Sequence, residues 1–323
     1  MKSVGIIGGS GYTGGELIRL ILHHPAMELD FVYSTTRAGK PLHSAHLDLL
    51  GQTSLNFTGT VNPDVAVLFL CLGHGKSREF LNANSFSKET LIVDLGNDFR
   101  LEGENQFLDK TFVYGLPELQ KTAIENANAI ANPGCFATAI QLALLPLAQN
   151  QLLKTAVHIN ATTGSTGAGV GLSPTSHFSW RSNNLSWYKP FTHQHLGEIH
   201  RTLNQMESAA DLFFLPQRGN FTRGIFATAY TTFNDSLETA QKLYEDFYNN
   251  HPFTHISTVP LDLKSVTGTN HCFIHLHLHE NTLLITSCID NLIKGASGQA
   301  IQNTNLIMGW EETLGLQLKA TAF

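Results

Sequence analysis

Apolar positions in this chain follow one pattern up to about residue 132 and another beyond it. In the first part, short continuous apolar runs alternate with stretches of helical spacing. Residues 4–7 form the first strand-like run, and residues 15–22 follow with helical periodicity. Further strand-like runs at 29–33, 65–73, 91–95 and 129–131 recur at the spacing of β–α units. Unbroken apolar strands joined by helices predict an α/β domain with a Rossmann-type, doubly wound parallel sheet, since strands covered on both faces need no polar side. Residues from 137 onward read as an Ala- and Leu-rich helix. Strand-like runs then dominate at 154–160, 225–233, 272–278 and 282–288, with one amphipathic helix at 236–249. They predict a second, α+β domain over 133–299 with a mostly antiparallel sheet. A helical segment near 295–314 follows, and about 300–323 is expected to return to the first domain (1–132).

The first strand runs directly into Gly9-Ser10-Gly11-Tyr12-Thr13-Gly14 and then a helix. This is Gly-x-Gly-x-x-Gly between strand and helix, where a dinucleotide pyrophosphate rests on the helix N-terminus. A structural glycine turn is the plainer alternative. The second strand ends in Ser34-Thr35-Thr36-Arg37 and carries no acid. An acid there would bind the ribose 2′-hydroxyl of NAD, whereas an arginine accommodates a 2′-phosphate, so NADP is favoured. Ser34 and Arg37 join the loop as candidate cofactor contacts, as does Gly73 at the end of the 65–73 strand.

Composition narrows the remaining classes. The 323 residues carry a net charge of −6 with 14% charged residues, which shows no basic stripe for nucleic acid. The longest apolar run is far too short to span a bilayer, and residues 1–7 lack signal-peptide architecture, so a cytoplasmic protein is expected. Cys71, Cys272 and Cys288 sit in strand-like apolar stretches, the expected place for inert thiols. Cys135 differs. It follows Asn132-Pro133-Gly134 and opens the Ala-rich helix, where backbone N–H groups and the positive dipole end favour a thiolate and could hold an oxyanion. Filling an apolar gap is the bland alternative.

A thiol nucleophile needs an acid/base partner, and His193 and His195 beside Glu198 open a helical run in the second domain. Surface histidines at a helix start would look the same. His275, His277 and His279 alternate on one strand face, which reads as a polar or interface face rather than a metal site. No metal is expected.

Six collinear elements extend these readings: Gly9-Ser10-Gly11-Tyr12-Thr13-Gly14, Asp94 to Arg100, Tyr114-Gly-Leu-Pro-Glu118, Asn132-Pro-Gly-Cys135, His193-Gln-His-x-x-Glu-Ile199, and residues 290–305 beginning Asp-Asn-Leu-Ile-Lys-Gly. Together the chain resembles N-acetyl-gamma-glutamyl-phosphate reductases, NADP-dependent enzymes of arginine and ornithine biosynthesis. The resemblance implies Cys135 as nucleophile, His195 as acid/base, an acyl phosphate substrate and a homodimer or homotetramer. Arg100 is the best candidate for an anionic part of the substrate, since guanidinium pairs with carboxylate or phosphate through two bonds. Glu198 and Arg223 join it as candidate substrate contacts. Another semialdehyde dehydrogenase and a non-catalytic dinucleotide sensor are the alternatives.

The chain also departs from the family. Phe136-Ala137 stands where Tyr-Pro is common. Pro216-Gln-Arg-Gly-Asn220 replaces a Pro-His-Leu-x-Pro stretch and introduces Arg218. An acidic acyl group such as succinyl would give that cation a partner; exposure to solvent or to a neighbouring subunit would equally explain it.

Overall fold

The structure is a computed structural model that describes residues 1–73, 75–208 and 210–322. The chain forms two units, one from residues 1–133 and 296–317, the other from residues 134–295 and the segment from 318 onward.

In the first unit, β1 (Lys2–Ile7), β2 (Met27–Tyr33), β3 (Phe57–Thr58), β4 (Val67–Leu70) and β5 (Leu91–Asp94) lead through a small hairpin of β6 (Gln106–Phe107) and β7 (Lys110–Thr111) to β8 (Val113–Tyr114) and β9 (Ala129–Ala131). Their sheet runs β3-β2-β1-β4-β5-β9-β8. Every neighbouring pair is parallel. The order reverses at β1, which pairs with both β2 and β4, so the glycine loop leaves the sheet at the switch point where such folds bind ligands. β4 and β5 are buried throughout, which explains their unbroken apolar runs. α1 (Tyr12–Leu22), α2 (Lys76–Ala83) and α3 (Pro117–Glu125) supply connections. β4 is shorter than the apolar run at 65–73 suggests, because its ladder to β1 ends at Leu70.

The second unit opens with α4 (Cys135–Gln149), buried on all sides from Phe136 to Ala148. It starts at Cys135 itself, two residues earlier than the apolar run indicates. Pro146 lies inside it and removes the N–H that would reach Leu142 four residues back. The Tyr248 hydroxyl donates to that Leu142 carbonyl at 2.5 Å, and Tyr244 donates to Ala143 at 2.6 Å. Both tyrosines come from α7 (Leu237–Tyr248), whose first turn is capped by Ser236 accepting from the Thr239 N–H.

The sheet under α4 comprises β10 (Val157–Thr163), β11 (Ser186–Trp187), β12 (Leu212–Arg218), β13 (Ile225–Thr232), β14 (Thr254–Ser257), β15 (Cys272–His279) and β16 (Thr282–Ile289), in the order β11-β12-β10-β13-β16-β15-β14. β12 lies parallel to β10 and β14 to β15, and the other neighbours are antiparallel. The mostly antiparallel expectation holds. β12 goes beyond the sequence pattern, because Pro216 argues against a strand and its apolar residues do not alternate cleanly. α5 (Phe178–Arg181) and α6 (His195–Gln205) complete the unit.

Residues 296–317 belong to the first unit again, whereas the segment from 318 onward belongs to the second. A π-helical turn at Ile293–Ser297 passes into α8 (Gly298–Ile307), buried over most of its circumference despite its polar sequence. Burial of so many amides requires partners. Asn303 donates to the Gly115 carbonyl at 2.8 Å and to Asn132, and Asn305 meets His24 at 3.1 Å. Gln302 donates to Glu312, which also pairs with Lys121 at 2.7 Å. Among the described residues, no helix is long and apolar enough to cross a membrane.

Candidate active site

The glycine loop of the first unit is shaped by backbone proximity. A Cβ on Gly14 would lie 2.6 Å from the Gly9 Cα and 2.9 Å from the Gly8 carbonyl oxygen, so the turn can close only around glycine. Gly11 is the N-cap of α1 and has no side chain to cap the first-turn N–H groups, which suits an anion. Ser297 Oγ donates to the Thr13 carbonyl and steadies the loop from the returning segment. His46, which no local motif marks, donates through Nε2 to the Gly9 carbonyl at 2.7 Å, and its ring covers Gly15.

At the end of β2, Ser34 Oγ lies 3.5 Å from both Ser10 Oγ and Thr36 Oγ1, a hydroxyl cluster beside the loop. Arg37 is half-buried and donates to the Ser44 carbonyl at 2.9 Å. A Cβ on Gly73 would meet open space. The loop, its helix N-terminus and the acid-free strand end therefore fit a dinucleotide with a 2′-phosphate. Burial pushes the Cys71 thiol up to about 12, as suits an inert cysteine beneath the loop.

Arg100 is buried and donates to the Leu95 carbonyl at 3.0 Å. Nearby Asp94 is pushed up to about 6 by burial, against the bonds from Ser77 and Gly96 and the Arg100 charge that favour its ionised form.

In the second unit, Cys135 is the first residue of α4 and Gly134 its N-cap. Two glycines enclose it. A Cβ on Gly134 would strike the His195 imidazole, with Cε1 2.6 Å and Cδ2 2.7 Å away. A Cβ on Gly295 would lie 2.7 Å from the Cys135 Cβ. The absence of both side chains lets an imidazole settle on one side of the nucleophile's backbone and the residue 290–295 loop on the other. Cys135 itself is partly exposed.

His195 begins α6, and His193 Nδ1 accepts its backbone N–H at 3.2 Å. His193 is therefore an acceptor at Nδ1. Burial, then the neighbouring His195 and Lys189, lowers its pKa to about 3, so it stays neutral. The two rings stand 4.6 Å apart, and both pack edge-on against Phe136, the residue that replaces the common tyrosine. Glu198, buried one turn into α6, accepts the Gly134 N–H at 2.9 Å and so fixes the start of the nucleophile's helix.

Arg223 is drawn to Asp290: Nε and Nη2 meet the carboxylate at 3.1 and 3.2 Å. Asp290 also accepts from the Gly268, Leu292 and Ile293 N–H groups, and its carbonyl accepts from Gly295. The pair thereby braces the loop that sets Gly295 against Cys135. In this unit the fold joins Cys135, His195 and Glu198, with Arg223 behind them. Gly295 and Asp290 become site residues only through packing. Among the described residues, no group of three or more His, Cys, Asp or Glu side chains is placed to hold a metal.

Comparison with known proteins agrees with both halves. Residues 3–127 match the family described as semialdehyde dehydrogenase, NAD binding domain, and residues 135–291 match semialdehyde dehydrogenase, dimerisation domain. An N-acetyl-gamma-glutamyl-phosphate reductase of Flavobacterium johnsoniae is 62% identical over 100% of both chains. The chain belongs to that reductase family. Reductases of the same name from Christiangramia forsetii and Parabacteroides distasonis are 56% and 51% identical, again over 100% of each chain. Among solved structures, aspartate semialdehyde dehydrogenase II of Vibrio cholerae, complexed with ASA, shares the fold at TM-score 0.71 with 16% identity, covering 96% of this chain and 98% of that one. The Candida albicans aspartate semialdehyde dehydrogenase with NADP gives 0.67 and 14%, covering 95% and 98%. The family's own members thus separate this chain from its fold neighbours.

Proposed function

We propose that the protein reduces an N-acyl-gamma-glutamyl phosphate to the corresponding N-acyl-glutamate semialdehyde and phosphate, using NADPH. Full-length identity of 62% to a reductase of that activity carries the reading. Cys135 attacks the acyl carbon, expels phosphate and holds the acyl group as a thioester. The α4 N-terminus favours negative charge, both on the sulfur before attack and on the carbonyl oxygen during it. His195 takes up the hydroxyl proton as the tetrahedral thiohemiacetal collapses to aldehyde and thiolate. Glu198 acts through Gly134 by holding the nucleophile's helix, and Arg100 remains the candidate for a substrate anion.

NADPH, when bound, supplies the hydride that reduces the thioester. Gly9, Ser10, Gly11, Tyr12, Thr13 and Gly14 would hold its pyrophosphate, Ser34 and Arg37 its 2′-phosphate end, with Gly73 at the neighbouring strand end. The enzyme works in the cytoplasm, in keeping with a biosynthetic role.

A homo-oligomer built on the second unit is supported by an open sheet face on which His158 stacks between Phe213 and Tyr230, each 5.1 Å away, with Trp187 exposed. A monomer by sedimentation would remove that part of the reading. The activity is tested by NADPH oxidation on N-acylated glutamyl phosphates. Cys135→Ser should abolish turnover and leave NADPH binding intact, because a hydroxyl lacks the thiolate's population at neutral pH. More than a few per cent of wild-type turnover would remove Cys135 from the nucleophile role.

A further inference from the structure

Arg218 closes β12, opposite Thr163 of β10 and Ser186 of β11. Its guanidinium lies over the Tyr188 ring, 4.6 Å from the centroid. Its Nε is buried and has no hydrogen-bond partner.

A second arginine stands behind it. Arg181 is 6% exposed and donates to the Arg218 carbonyl at 2.6 Å, to the Thr175 carbonyl and to Ser186 Oγ. Its partners are all neutral. Among the described residues neither arginine forms an ion pair, and burial, then the charge of Arg218, pulls the Arg181 pKa down. Two like charges held together away from carboxylates are costly, and an incoming anion relieves that cost.

A chain of ring contacts links Arg218 to the nucleophile's helix. The Tyr188 ring meets His193 edge-on at 5.7 Å, and His193 meets His195 at 4.6 Å. Tyr188 thus fixes the guanidinium by stacking, and three rings, Tyr188, His193 and His195, lead from it to Gly134 beside the thiol.

We propose that Arg218 is a specificity-determining residue that receives an oxyanion of the substrate, carboxylate or phosphate, on a guanidinium placed by Tyr188 and backed by Arg181. The proposal rests on the reading of Cys135 as acceptor of an acyl phosphate. A planar fork with a buried donor suits two-point recognition of an oxyanion, which lysine cannot reproduce. Three parts of the substrate carry the required chemistry: the leaving phosphate, the α-carboxylate, and the terminal carboxylate of a dicarboxylic acyl group such as succinyl.

Steady-state kinetics separate these sources. Wild type, Arg218→Gln and Arg218→Lys are compared on N-acetyl and N-succinyl-gamma-glutamyl phosphate, and in reverse with varied phosphate. Arg218→Gln should lower kcat/KM by about 10- to 100-fold through KM, the scale of a lost charged hydrogen bond, with partial recovery in Arg218→Lys. A loss confined to the succinyl substrate assigns the acyl carboxylate. A raised KM for phosphate in reverse assigns the phosphate. Equal loss on both acyl substrates with phosphate unchanged assigns the α-carboxylate.

Alkylation gives a readout that needs no turnover. The rate of Cys135 modification by iodoacetate relative to iodoacetamide, followed on the Cys135 peptide, should be raised in wild type and fall in Arg218→Gln. If the wild type does not turn over acyl phosphates, the function fails while this ratio still reports the anion site. Kinetic constants and alkylation ratio all within twofold of wild type would overturn the proposal. If Arg218→Gln does not fold, a wild-type ratio no higher than that of a small thiol in solution overturns it equally.

Discussion

Replacing Gly134 by alanine tests the active-site geometry with one methyl group. The backbone there, at φ −70° and ψ 149°, suits alanine as well as glycine, so no main-chain strain intervenes. The new Cβ would stand 2.6 to 2.7 Å from His195 ring carbons. Carbon atoms rest at about 3.5–4.0 Å, so the imidazole must retreat by about 1 Å. A displacement of that size at a reacting group costs on the order of 10² in rate. Where packing resists, overpacking removes about 1–3 kcal/mol of stability instead. The assay is kcat at saturating NADPH, with thermal unfolding alongside, in wild-type and His195→Ala backgrounds. Gly134→Ala should lower kcat about 100-fold alone and by less than about twofold once the ring is gone, because neighbours that act through one contact are not additive. An equal loss in both backgrounds, or full turnover in the single variant, refutes the placement of His195 as acid/base over Gly134.

His195→Asn should lower kcat about 10²- to 10⁴-fold, the range for a lost acid/base, and His193→Asn far less; a larger loss in His193→Asn would reverse the assignment. His193 is also a pH probe. Its folded value of about 3 lies below its ordinary 6.5, so the unfolded chain takes up the proton more readily. Stability should therefore fall as pH drops from 6.5 toward 3, and His193→Asn should flatten that fall in denaturant midpoints taken at about pH 7 and pH 5. Wild-type and variant slopes that coincide would place His193 in a more open setting. Arg37→Ala should raise the KM for NADPH more than that for NADH; no change in the ratio would leave Arg37 bonded only to Ser44.

Local sequence sufficed for most of the elements. Residues 4–7 followed by Gly-x-Gly-x-x-Gly specify strand, tight turn and helix within twenty residues, because each choice is made by neighbours in the chain. Recurring apolar strands are enough for a parallel sheet, since only strands buried on both faces read that way. Cys135 at a helix start was legible for the same reason.

The surroundings of that cysteine were not. Glu198 reaches Gly134 across 64 residues, and Gly295 touches Cys135 from 160 residues away in sequence. β12 contradicts its own proline and exists because β10 and β11 flank it. Arg223 and Arg218 look alike in sequence, yet one is neutralised by Asp290 and the other stands on Tyr188 beside a second arginine. Charge and hydrogen-bond partners belong to whatever packing brings within a few ångströms. Sequence spacing determined where this protein turns, coils and extends, and only the tertiary structure decided which buried groups meet around the thiol.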